Sequence, residues 1–276
     1  MDLPDGFDDG LTQYFELAAR RAADETMSTW IDLRPDLVDA SGAALVGVLA
    51  YLVDSAVGMA AGFAALPQWV VTADIDLHLL APATVGPLRA DGRVLRAGSR
   101  QVLADCTLYD EGSGVIVAGA TANHSVLPAE GGAPMSIPTP DVIFRHQRAE
   151  TGPSGPLSGE HSPSDGRRPR PPLLERYGVV RVPGIAGAAE LEITGPARNP
   201  WGIMHGSLFA LVAEQALASA QPGRRIDDLM LRFLAPARVG PARAQATHIG
   251  GTLWRVDVRD CGNDERLCCS AFARLS

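Results

Sequence analysis

The segment Leu79-Leu-Ala-Pro-Ala-Thr-Val-Gly-Pro87 returns as Phe233-Leu-Ala-Pro-Ala-Arg-Val-Gly-Pro241, with seven of nine positions identical. A chain of 276 residues that repeats itself 154 residues apart (Pro82 to Pro236) is constrained to build one unit twice. The same spacing aligns Ile75, Leu77 and Leu79 with Leu229, Leu231 and Phe233 without a gap. Between them stand Asp74, Asp76 and His78, or Asp228, Met230 and Arg232. Such alternation is that of a half-buried strand, so each copy is expected to carry a strand that ends at Ala-Pro. Further on, Val102, Ala104 and Cys106 match Val256, Val258 and Asp260, with turns near 110–114 and 261–264. Last strands are expected over 115–122 and 266–273, which makes the second half of each copy an antiparallel meander.

Upstream of each Ala-Pro strand lies an apolar run expected to be helical, Ala43 to Leu66 and His205 to Ala220. Asp54 and Glu214 occupy matching places in these runs, in Leu52-Val-Asp-Ser-Ala and Val212-Ala-Glu-Gln-Ala. A helix apolar on nearly every face belongs inside something. The first run is also long enough to cross a bilayer, but a carboxylate at its middle disfavours insertion by roughly 2.5–3.5 kcal/mol. A buried core helix and no membrane span are therefore expected. First strands are expected over 28–33 and 178–193, broken at Arg34-Pro35 and Gly195-Pro196, and a short amphipathic helix over 11–25. Fold class is thus α+β, with units at 1–127 and 173–276. The stretch 128–172 is dense in Gly, Pro and Ser and reads as a flexible linker. Within it, Val142-Ile-Phe144 could dock on a domain, and the arginines near Gly166-Arg-Arg-Pro-Arg-Pro-Pro172 read as solvated charge.

A net charge of −8 argues against a nucleic-acid partner. The chain contains no lysine, so every Lys/Arg-type cation is arginine. Four cysteines, Cys106, Cys261, Cys268 and Cys269, are too few and too clustered for a disulfide framework and read as buried free thiols. The acidic start Met1-Asp-Leu-Pro-Asp lacks the basic flank of a leader, so a cytoplasmic location is expected.

Asn199-Pro-Trp-Gly-Ile-Met-His-Gly-Ser207, followed by Glu214, resembles the PaaI-like acyl-CoA thioesterases. Their pattern runs Asn, a glycine, His-Gly-Gly at a helix start, then an acidic residue on the helix; here Ser207 replaces the last glycine. With the duplication, the resemblance implies a tandem (double) hotdog fold: two hotdog domains in one chain, each a long central helix wrapped by an antiparallel β-sheet, packed as a pseudo-dimer. It covers roughly 28–127 and 173–276. Further assembly into homo-oligomers is left open, and no cofactor or metal is implied.

The resemblance also implies that the helix start of one hotdog faces the acid of the other, so Gly206 would face Asp54. A helix N-terminus offers unpaired N–H groups and the positive end of its dipole, and a glycine admits a close ligand. Gly206 could then polarise a thioester carbonyl, Asp54 could activate water or attack directly, and Thr72, on the following strand, could orient either. His205 reads as a brace of the turn more than as a base. Asn199 either positions water or the acyl carbonyl or serves the turn alone. In the opposite site the first copy has Asp39, Leu45 and Val46 in place of Asn199, His205 and Gly206, and an aspartate there would repel an oxyanion. Glu214 is therefore a second-site candidate, or else a buried carboxyl held by a core partner. Arg93, Arg96, Arg100, Arg238 and Arg243 could meet the phosphates of an acyl-CoA, or be surface charge. The expected activity is hydrolysis of an acyl-CoA thioester between the halves. A noncatalytic acyl-ligand-binding or scaffolding protein and a hydratase or dehydratase remain as alternatives.

Overall fold

Apolar residues on every face make a helix that must be enclosed, and a computed structural model of the chain shows how both such helices are covered. The structure describes residues 10–128, 170–199 and 201–276. The described helices are α1 (Gly10–Phe15), α2 (Val46–Ala65), α3 (Leu173–Arg176) and α4 (Gly206–Ala220). By length and composition alone α2 could cross a membrane, and 78% of its most apolar stretch is buried inside the fold.

The first half contributes β1 (Ala18–Arg21), β2 (Met27–Ile31), β3 (Trp69–Leu79), β4 (Leu88–Ala97), β5 (Gln101–Asp110) and β6 (Val115–Leu127). The second contributes β7 (Val180–Arg181), β8 (Ala188–Leu191), β9 (Ile226–Phe233), β10 (Ala242–Gly250), β11 (Leu253–Asp260) and β12 (Arg266–Leu275). All twelve form one sheet, ordered β1-β2-β4-β5-β6-β3-β9-β12-β11-β10-β8-β7. Reading outward from the β3/β9 pair gives the same sequence of elements in both directions. The two Ala-Pro strands thus join the halves edge to edge, antiparallel, from Asp74 opposite Arg232 to His78 opposite Asp228. Each closes an edge that would otherwise expose unpaired backbone groups. On the outer face the seam carries Arg232–Asp76 and His78–Asp228 contacts at 2.6 Å each.

On the inner face α2 and α4 run antiparallel, and one glycine permits their approach. A Cβ on Gly47 would lie 2.7 Å from Leu211 Cβ and 2.9 Å from its Cα, so only glycine fits there. The motif that exposed the duplication is a structural device. After each Ala-Pro strand the chain turns so that three successive N–H groups donate to one buried carboxylate. Thr84, Val85 and Gly86 donate to Asp110 at 2.8–2.9 Å, and Arg238, Val239 and Gly240 donate to Asp260 at 2.7–3.0 Å. Burial works to raise the pKa of Asp110, but its N–H donors outweigh that and leave it below the usual carboxylate value; Asp260 behaves alike. Gly86 and Gly240 sit at φ of 73° and 86°, the left-handed region that glycine enters freely.

Several local expectations are corrected. Residues 11–25 do not form one helix: Glu16 adopts a φ of 54°, α1 stops, and Ala18–Arg21 turns back to cover the edge of β2. The segment 178–193 splits at Pro183-Gly184 into β7 and β8. Cys268 and Cys269 are both fully buried, although consecutive strand residues should face opposite sides, because the β11/β12 register shifts there. All four cysteines are free, and Cys261 is partly exposed. Arg170, at the end of the arginine cluster, is not merely solvated: it donates to the Tyr14 carbonyl at 2.5 Å and pairs with Glu16. Most of the expected linker, including Val142-Ile-Phe144, lies outside the described residues.

Candidate active site

The site is built where α4 begins. His205 is its N-cap residue, in extended conformation, and its Nδ1 accepts the Ser207 N–H at 3.3 Å. This contact, and a 3.0 Å contact with Ser207 Oγ, make His205 a brace of the helix start. Its ring lies 5.6 Å from that of Tyr51, on α2. Asn199 shapes the preceding turn, its Oδ1 accepting the N–H groups of Trp201 and Ile203 at 3.0 and 3.3 Å. Trp201 in that turn packs edge-on against Trp69 of β3, centroids 5.2 Å apart. Gly206 is then the first helical residue, and no acceptor among the described residues takes its N–H.

Opposite this helix start stands Asp54. Its Oδ2 lies 3.4 Å from where a Cβ on Gly206 would be, with Phe233 beside it at 3.6 Å. Its Oδ1 accepts the Thr72 hydroxyl at 2.8 Å. One carboxylate oxygen is therefore held by Thr72 while the other is directed toward Gly206. Asp54, Thr72, His205 and Gly206 are brought together across the two halves, whereas the Asn199 side-chain oxygen is occupied in its turn.

The mirror site differs. Glu214 accepts the Val46 N–H at 3.0 Å and the Gly47 N–H at 3.2 Å, so its carboxylate caps the start of α2. Burial pushes its pKa up to about 7, against the pull of those two N–H groups; Asp39 adds to the rise and Arg181 opposes it. Asp39 is a turn residue like Asn199, its Oδ1 accepting from Ser41 and Ala43. Where Thr72 stands in the first half, the second has Ile226.

The candidate phosphate ligands do not converge on this place. Arg93 pairs with Asp105 and Arg243 with Glu190, both at the surface. Arg96 and Arg100 line a recess of about 500 Å³ with Gln101 and Asn123, beside the β4–β5 turn. The Arg238 N–H serves the Asp260 loop.

One residue escaped the sequence reading. His124, on β6, is fully buried and is subject to the charge of Asp54. The available signal was its place in the inward series Ala118, Ala120, Ala122, where every other member is small and apolar. Its neighbourhood with Thr72 depends on strand register, which one sequence does not display.

Residues 42–117 match the model of the thioesterase superfamily. Over 92% of its length the chain superposes on 98% of an acyl-ACP thioesterase from Bacteroides thetaiotaomicron VPI-5482, with a TM-score of 0.60 at 11% identity. The chain has the double-hotdog fold, and its residues 42–117 match the thioesterase superfamily. A second such superposition covers 91% of this double hotdog and 97% of the 12:0-ACP thioesterase from Umbellularia californica, with a TM-score of 0.59 at 12% identity. At these identities the likeness is one of fold. No curated protein matches the sequence. In this double hotdog the superfamily match includes Asp54 and Thr72, while Gly206 comes from the second half.

Proposed function

We propose that the double hotdog hydrolyses an acyl-CoA thioester at the junction of its halves, in the manner of the PaaI-like enzymes, and that only one of its two mirror sites works. The observation that carries this reading is the contrast between two carboxylates in equivalent positions. Glu214 has both oxygens bonded to the helix start it faces. Asp54 is bonded to Thr72 and leaves the Gly206 N–H open beside it.

A thioester carbonyl seated between Asp54 and the start of α4 would direct its oxygen to the Gly206 N–H. Charge that develops on that oxygen meets a fixed donor and the positive end of a helix dipole. Asp54 Oδ2 takes a proton from water as the water adds to the carbonyl carbon, and Thr72 holds the carboxylate in the orientation that makes this possible. His205 and Asn199 act on the turn that presents Gly206.

The test is thiol release from a panel of acyl-CoA and acyl-carrier-protein thioesters of varied chain length. Release above the uncatalysed rate, with no change in enoyl absorbance, is expected. Saturable binding without release would favour the acyl-binding alternative, and loss of enoyl absorbance would favour a hydratase. Comparison of CoA and carrier-protein substrates assigns the carrier.

A further inference from the structure

His124 stands near the proposed reacting carboxylate, and neither ring nitrogen makes a well-formed hydrogen bond; the Val102 main chain is the one backbone group that acts on the ring, which leaves at least one nitrogen free. Its Cα is in register with that of Thr72 on one side and Val102 on the other, and it is 1% exposed. Residues paired across antiparallel strands project to the same face, so His124 shares the face on which Thr72 donates to Asp54. The helix above brings Gly58, one turn after Asp54 and therefore on its side of α2. A Cβ on Gly58 would meet a single heavy atom within 4 Å, and that atom is His124 Nε2, at 4.0 Å. The missing side chain leaves room against the imidazole, next along the helix from Asp54.

Buried polar groups without partners are rare and lower stability unless something else uses them. Burial disfavours the charged ring, against the pull of Asp54, the Val102 main chain and Asp74. A neutral imidazole offers one N–H and one lone pair.

We propose that His124 is a further catalytic residue, its ring holding the hydrolytic water against Asp54. The inference rests on the thioesterase reading above. The lone pair of His124 accepts one hydrogen of the water and Asp54 the other. As the water oxygen bonds to the thioester carbon, its proton passes to Asp54. The carbon–sulfur bond then breaks with its electron pair on sulfur, which takes that proton and departs as the thiol. His124 stays neutral throughout and keeps the water from rotating away.

Two substitutions separate this role from packing. His124→Phe keeps a ring and removes both nitrogens, so Tm is expected to rise while kcat falls about tenfold to a hundredfold with little change in KM. Gly58→Ala places a methyl against Nε2 in a helix interior where alanine is the better residue, so Tm is again expected to rise and kcat to fall. His124→Gln, which restores a donor and an acceptor, is expected to recover part of kcat. Wild-type kcat in both His124→Phe and Gly58→Ala would overturn the inference and leave the thioesterase reading standing. So would a His124→Phe variant that loses Tm and kcat together while Gly58→Ala keeps full activity. A wild-type chain that releases no thiol from any substrate would overturn both.

Discussion

One methylene separates the two carboxylates of the junction. Glu214 is long enough to reach the N–H groups of Val46 and Gly47, and it takes up both of them. Asp54 stops short of α4, with Thr72 holding one oxygen. Asp54→Glu should therefore close the first site as Glu214 closes the second: turnover is expected to fall by about two orders of magnitude or more with Tm unchanged or raised. Thiol-release kinetics beside thermal melts would show it, and an active Asp54→Glu enzyme would mean that side-chain length does not set the difference. Gly206 can be tested just as locally. It is the first residue of its helix, where proline is well tolerated, and His205 before it has φ −63° and ψ 142°, a conformation compatible with a following proline. Gly206→Pro removes the N–H and also sets a Cβ 3.4 Å from Asp54 Oδ2, so kcat is expected to drop at least roughly 10²–10³-fold, the value of one oxyanion donor.

Among the elements, the helix pair is where the duplication has diverged. The carboxyl of Glu214 holds its proton in the folded chain up to about pH 7, whereas the same group in the unfolded chain releases it near 4.5. Between those values the native state binds more protons, so this group makes stability fall as pH rises. Glu214→Gln cannot ionise, and the slope between pH 5 and 7 is expected to flatten by an amount on the order of 1–3 kcal/mol. Urea unfolding of both proteins at pH 5 and pH 7 measures it; parallel pH dependence would contradict the assignment. Asp110 and Asp260, held below the usual value, do not interfere, because their stabilisation is lost only at more acid pH. These elements also show what a sequence displays. The helices and the Ala-Pro strands were legible, because apolar runs, alternation and the offset between copies are local or periodic signals; that Asp54 faces Gly206 came from the family resemblance alone. The carboxylates that fasten the Ala-Pro loops were not, since Asp110 lies 24 to 26 residues from its donors. The Glu16 turn and the β7/β8 hairpin were missed for a related reason: edge strands are settled by what needs covering, not by their own periodicity.

For the whole molecule, the duplication explains both the single sheet and the difference between its two helix starts. Joining β3 to β9 and crossing α2 with α4 creates two mirror sites, each drawing its acid from one half and its helix start from the other. Once both lie in one chain, either can change while the other is kept. The first site has Asp54, Thr72 and a braced Gly206; the second has a carboxyl fastened to its facing helix and Ile226 where Thr72 would be. His124 was invisible at this level too, as its meaning comes from the register of β6 with β3 and from a glycine on α2. The measurement that bears most directly on the account is kcat for Asp54→Asn and Glu214→Gln, taken side by side on the best thioester from the panel, with melting temperatures for both. Asp54→Asn is expected to lose about 10²–10⁴-fold or more, as removal of a general base does, and Glu214→Gln to stay within about twofold of wild type. Equal losses in the two variants, or a loss confined to Glu214→Gln, would contradict it.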